Sequence, residues 1–83
     1  MERTVVTSMT DHRIEKVLDE IRRYAERCRR EVASGVTSPE IAAQLIRTYG
    51  SGLAKAAEVL HGNASAAMVI YETDNLADQI DDA

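Results

Sequence analysis

The clearest helix of this chain lies in residues 38–61, SPEIAAQLIRTYGSGLAKAAEVLH. Ser38 is a residue type that caps helices, because its side-chain oxygen accepts a hydrogen bond from an unpaired amide of the first turn. Pro39 suits the first helical position, and Glu40 interacts favourably with the positive end of the helix dipole. Gly62 follows as a stop signal. These residues predict a helix that begins at about residue 38 and ends at about residue 61.

Two glycines, Gly50 and Gly52, interrupt this segment. Each costs about 1 kcal/mol relative to alanine inside a helix, which favours a break. The polar positions nevertheless recur every three or four residues on both sides of the glycines: Glu40, Gln44, Arg47, Ser51, Lys55 and Glu58. Because this spacing returns side chains to one helix face, we expect one continuous helix, with a kink at Gly50–Gly52 as the open alternative.

Apolar residues recur at helical spacing in three stretches, which predicts three helices. The first stripe is Ile14, Leu18, Ile21, Ala25, Cys28 and Val32. The second stripe is Ala42, Leu45, Tyr49, Leu53, Ala56 and Leu60. The third stripe is Ala66, Val69, Thr73, Leu76 and Ile80. We therefore predict an all-α fold, a small helical bundle with helices over about 10–34, 38–61 and 63–80.

The first two predicted helices match in length across a short turn, so we expect them to form an antiparallel hairpin that the third helix covers. We expect the 83 residues to form a single domain, 1–83. Residues 1–9 precede the first stripe and are expected to form a flexible arm. An alternative is that residues 4–9 pair as a strand with residues 66–71, which the helical spacing of the second segment disfavours.

Composition and charge limit the classes of protein to which this chain can belong. The chain has no Trp or Phe, so its core is aliphatic and thin, and a second copy is an expected source of stability. Its one cysteine, Cys28, favours a reducing compartment. We expect no membrane association and a cytoplasmic protein, because no apolar run is long enough to span a bilayer. The net charge of −4 argues against general nucleic-acid binding.

Catalysis has little support in the sequence. His12, Cys28 and His61 are the side chains that commonly act near neutral pH, and none has a partner in a local motif. No glycine-rich phosphate loop and no set of metal ligands at the usual spacing is present. We therefore expect no enzyme activity, no catalytic residues, no metal and no cofactor.

Basic residues are concentrated in the second half of the first helix: Arg22, Arg23, Arg27, Arg29 and Arg30. One interpretation is a solvated face on which acids four residues away pair with the arginines. The expected pairs are Asp19–Arg23, Glu26–Arg30 and Arg27–Glu31. The other interpretation is a contact surface for an acidic protein or a nucleic acid.

Small side chains line a second face of the second helix: Ala43, Gly50, Ala54 and Ala57. Met68 and Tyr71 point away from the third stripe, and both residue types are common at interfaces. These six residues are candidates for a partner or dimer interface, and internal packing of the bundle is the alternative for the small residues. The acidic segment 72–82 has two interpretations, a contact for a basic partner or surface acids that only keep the protein soluble, and the second is the more common.

The sequence therefore predicts a small non-enzymatic binding or regulatory protein that presents helix faces to another protein, as a homodimer. The alternative is a small DNA-binding transcriptional regulator that uses the Arg22–Arg30 surface. These two functions differ in salt dependence, because binding through several phosphates weakens steeply as salt rises.

Overall fold

A computed structural model describes the backbone of residues 2–82 and the side chains of residues 13–82. It contains three helices, α1 (Glu2–Ala33), α2 (Pro39–His61) and α3 (Asn63–Asp81). The described backbone holds no strand. The predicted all-α bundle of three helices is confirmed.

The first helix is longer than predicted. α1 begins at Glu2 rather than near residue 10, and residues 4–9 are helical rather than extended. No proline or glycine lies between residues 2 and 34, and valine and threonine lower helix propensity by less than about 1 kcal/mol each. The strand pairing of 4–9 with 66–71 is therefore wrong for the described backbone. Flexibility of the 1–9 arm stays a prediction, and Met1 lies outside the described residues.

The helix ends follow the local signals of the sequence. Gly35 has a φ of +81°, and the Val36 amide donates to the Glu31 carbonyl at 2.9 Å, so a left-handed glycine closes α1. Ser38 Oγ accepts a hydrogen bond from the Ile41 amide at 3.2 Å and caps α2. Gly62, with a φ of +101°, is the only residue between α2 and α3.

α2 passes through its glycines without a break, as the spacing of its polar residues predicts. Gly50 is buried and lies against Thr73 of α3. The closest helix pair is α2 with α3, and α1 packs across both. α2 therefore packs more closely against α3 than against its hairpin partner α1, because the small residues of α2 allow α3 to approach.

The core consists of two clusters, each with side chains from all three helices. One contains Ile21, Ala25, Cys28, Ala42, Ala43, Ile46, Ala77 and Ile80. The other contains Ile14, Leu18, Ala54, Ala57 and Val69. Gly50 follows Ile46 and precedes Ala54, so its contact with Thr73 lies between the two clusters. Every residue of the first and third predicted stripes is buried or half-buried, which confirms both.

Candidate interaction surface

The buried face of α2 consists mostly of small side chains: Ala42, Ala43, Ile46, Gly50, Ala54 and Ala57. The predicted second stripe is only partly buried. Ala42 is in the core and Tyr49 and Leu53 are half-buried, but Leu45, Ala56 and Leu60 are exposed. The second stripe is therefore wrong for these three, because the close approach of α3 turns the small residues of α2 inward.

Large apolar side chains of α2 lie on the opposite side of the helix. Ile41 is 56% exposed, Leu45 42% and Val59 80%. They belong to a row of exposed, uncharged residues that runs the length of the helix. We call this row the outer α2 face: Ile41, Leu45, Thr48, Gly52, Ala56 and Val59. The steps of four, three, four, four and three residues keep it on one side of α2.

The other helices present different surfaces. Every exposed residue of α1 between residues 13 and 30 is charged. α3 exposes Met68, Ile70 and Tyr71, and Asp74 and Asp78 follow Ile70 in its row. An exposed, uncharged row also runs along α3, but its second half is polar: Ala64, Met68, Tyr71, Asn75 and Gln79. The row on α2 differs because it carries large aliphatic side chains at both ends, Ile41 and Val59. Apolar surface of this kind is typical of a contact with another molecule.

The six residues predicted as a partner or dimer interface do not form one surface. Ala43, Gly50, Ala54 and Ala57 are buried between helices of the same chain, so the internal-packing alternative describes them. Met68 and Tyr71 are exposed on α3, 45% and 71% respectively.

Sequence reasoning missed Ile41 and Val59. The sequence does show that α2 carries apolar residues on two faces. The face with the larger side chains was predicted to be the core.

Arg22 is the most extensively paired arginine of the predicted basic patch. It donates to Glu72 of α3 at 2.8 Å, and to Glu15 and Asp19 of its own helix at 3.1 and 3.3 Å. The hydrogen bond with Glu72 raises the pKa of Arg22 above its ordinary value, with burial acting in the opposite direction. Arg22 therefore joins α1 to α3 and has little capacity left for a phosphate.

Two other arginines pair along α1 at a spacing of three residues. Arg23 lies 3.6 Å from Glu20, and Arg29 lies 3.1 Å from Glu26. None of the predicted pairs at four-residue spacing, Asp19–Arg23, Glu26–Arg30 and Arg27–Glu31, lies within 4 Å, so those pairs are wrong for the described side chains. Both spacings bring side chains together on a helix, and the acids here bond to other groups, since Asp19 pairs with Arg22.

Arg27 and Arg30 have no ion-pair partner within the described part of the chain, and both are exposed. The Arg27 guanidinium lies 5.1 Å from the centre of the Tyr24 ring, a cation–π distance. Tyr24 stacks in turn on Tyr49 of α2, with ring centres 4.3 Å apart. Arg27 thus adds a cation–π contact to the aromatic stack that joins α1 and α2.

Tyr49 also makes a polar contact with α1. Its hydroxyl donates to Glu20 at 2.9 Å. This hydrogen bond, with burial as the smaller cause, raises the pKa of Tyr49 above its ordinary value. The hydrogen bond between Tyr49 and Glu20 therefore joins α2 to α1.

The groups considered for catalysis are dispersed. Cys28 is buried in the core, and burial raises the pKa of its thiol, which disfavours the reactive thiolate. His61 is exposed at the end of α2. The His12 side chain lies outside the described residues. Within the described side chains, no group of three or more His, Cys, Asp or Glu is placed to hold a metal ion.

Fold and surface together define a small three-helix bundle with an uncharged apolar face on the outside of α2. Comparison with protein-family models, with curated proteins and with solved structures found no match to this chain. Of the helices described, none combines the length and apolar character needed to cross a membrane.

Proposed function

We propose that this protein is a non-enzymatic binding or regulatory protein that acts through a helix face, as a homodimer in the cytoplasm. The observation that carries the proposal is the arrangement of α2, which buries small residues and exposes Ile41, Leu45 and Val59. Full burial of one such side chain contributes about 1.5–3 kcal/mol, so leaving several in water forgoes stability that a partner can supply.

The uncharged character of the outer α2 face indicates the kind of contact. A protein helix with an apolar stripe matches it, whereas a nucleic acid requires positive charge along the contact. The single cysteine of the chain, which cannot form an internal disulfide, favours a reducing compartment.

A test of this function compares two isoleucines of similar exposure. Ile41, 56% exposed, lies on the outer α2 face, and Ile70, 50% exposed, lies on α3. Tagged wild-type protein, Ile41→Glu and Ile70→Glu are used as baits in lysate of the source cell, and bound proteins are identified by mass spectrometry. We expect a protein partner that binds the wild type and Ile70→Glu and is lost with Ile41→Glu. A partner that binds all three equally, or no partner at all, contradicts the proposed function.

The alternative is DNA binding through the Arg22–Arg30 surface. The exposed Arg27 and Arg30, which lack ion-pair partners in the described region, favour it, while the pairing of Arg22, Arg23 and Arg29 weakens it. A gel-shift experiment with duplex DNA at low salt separates the two functions. The helix-face function predicts no shift. A shift that disappears with rising salt and in an Arg27→Glu/Arg30→Glu variant supports DNA binding.

A further inference from the structure

We propose that the outer α2 face binds the same face of a second copy of this chain, with the two α2 helices antiparallel. This inference rests on the proposed function and names the occupant of its surface. It is carried by the symmetry of the face, by the sizes of its side chains and by the charges beside it.

The spacing of the outer α2 face is symmetric about residue 50. In a two-fold symmetric antiparallel pair, if residue i faces residue j, then j faces i, and the two numbers have a constant sum. The six positions satisfy this condition to within one residue as three pairs: Ile41 with Val59, Leu45 with Ala56, and Thr48 with Gly52. The first and third pairs sum to 100 and the second to 101, so a single register accommodates the whole face.

Side-chain sizes are complementary in this register. Leu45 of one copy meets the small Ala56 of the other, and Thr48 meets Gly52. A parallel pair would place each residue against itself, with Leu45 against Leu45 and Gly52 against Gly52. That arrangement crowds one level and leaves a gap at another, and both defects cost stability. The antiparallel register gives even packing along the helix.

Charges at the edge of the face favour the same orientation. Gln44 and Glu58 are exposed on one flank, and the antiparallel register places Gln44 of one copy beside Glu58 of the other. An amide donor then meets a carboxylate. Antiparallel helices also bring opposite dipole ends together.

The pair covers much of the apolar surface that the single chain exposes. Leu60, 72% exposed, borders the face and lies next to Ile41 of the other copy in this register. Of the eight large apolar side chains that are exposed in the described part, four would be covered: Ile41, Leu45, Val59 and Leu60. A second copy of the chain can therefore cover the outer α2 face, and no different partner is needed.

Solution mass tests the occupant. We expect light scattering to give about twice the 9.2 kDa chain mass for wild type and for Ile70→Glu, and the single-chain mass for Ile41→Glu at micromolar concentration. Circular dichroism checks that Ile41→Glu stays helical, which is expected because glutamate suits the first turn of a helix. A monomeric wild type, or an Ile41→Glu variant that remains dimeric, overturns the proposal.

Cross-linking tests the orientation. Ile41→Cys and Val59→Cys are prepared separately and treated with a short bis-maleimide, alone and after mixing. In the antiparallel pair, position 41 lies about 27 Å along the axis from position 41 of the other copy, from 1.5 Å per residue. We therefore expect cross-links only in the mixture. Wild type is the control, since its single thiol is buried. Cross-links in either variant alone overturn the antiparallel arrangement.

The outcomes separate this inference from the proposed function. A monomeric wild type that still captures a protein through Ile41 retains binding through the helix face, but it removes the second copy and with it the homodimer of the proposed function. A dimer that depends on Ile41 but captures no other protein retains the second copy and removes the binding function.

Discussion

Gly50 of α2 lies so close to Thr73 of α3 that a Cβ on Gly50 would be 2.7 Å from the Cβ of Thr73. The Thr73 hydroxyl donates to the Val69 carbonyl at 2.6 Å, so the buried hydroxyl has a hydrogen-bond partner. Glycine at position 50 lowers helix propensity, but the close contact with Thr73 leaves no room there for a larger residue. The contact fixes the separation of α2 and α3 and determines which side of α2 enters the core.

Gly50→Ala is expected to destabilise the protein by about 1–3 kcal/mol, because the added methyl group overpacks the α2–α3 contact. The measurement is the free energy of unfolding from a urea titration followed by circular dichroism. Thr73→Ala removes Oγ1 and Cγ2, the two atoms nearest to the new methyl, and should restore part of the loss in the double variant.

Gly52→Ala is the matched control for Gly50→Ala. No atom lies within 4 Å of a Cβ at Gly52, and the substitution is expected to stabilise the helix by up to about 1 kcal/mol. Because Gly52 belongs to the outer α2 face, both alanine variants are compared in the Ile41→Glu background. Equal effects at the two glycines would contradict the close contact with Thr73.

Ile21→Asp is expected to unfold the domain. Ile21 is fully buried in the core, and an unpaired carboxylate there costs about 4 kcal/mol or more, a large share of the stability of a small domain. Arg27→Ala should remain folded, with a loss of about 0.5–1 kcal/mol from its exposed contact with Tyr24. Circular dichroism and thermal melting distinguish the two. A native Ile21→Asp protein would show that the α1 stripe is not the core.

Tyr49 predicts a loss of stability at high pH. Its pKa is raised in the folded state, chiefly by the hydrogen bond to Glu20, so the folded protein holds this proton more tightly than the unfolded chain. The resulting stabilisation is complete below the unfolded pKa of about 10 and disappears as pH rises through the folded pKa. The free energy of unfolding should therefore fall from pH 9 to 11, and less steeply in Tyr49→Phe.

Cys28 has a pKa shift of the same direction, caused by burial, so the Tyr49 comparison is made in a Cys28→Ala background. Ultraviolet absorbance of tyrosinate follows the ionisation directly. If Tyr49→Phe leaves the pH dependence unchanged, the hydrogen bond between Tyr49 and Glu20 contributes nothing to stability.

The sequence predicted the first apolar stripe correctly because large side chains mark the buried face of α1. On α3 the helical spacing identified the buried face, although larger apolar side chains, Met68, Ile70 and Tyr71, are exposed. It assigned α2 incorrectly for a physical reason. Hydrophobicity ranks Leu45 above Ala43, but the core position depends on how closely α3 approaches, and that distance is set by Gly50 and Thr73. Two residues far apart in the chain therefore decide the orientation of α2, and single-helix periodicity contains no information about their contact.

Pairing of the arginines was predictable only in outline. Helical spacing indicated that acids along α1 neutralise part of the patch. It could not indicate Arg22–Glu72, because that pair joins α1 to α3 across 50 positions of sequence. The outer α2 face was not predictable for a similar reason. Ile41 and Val59 can be assigned to the exposed side only once the small residues of α2 are known to be buried.

Self-association through the outer α2 face can be measured by sedimentation equilibrium of wild-type protein over a dilution series. We expect a mass of about twice 9.2 kDa at micromolar concentration, falling toward a single chain only on dilution. A mass of one chain at every concentration would contradict the proposed self-association.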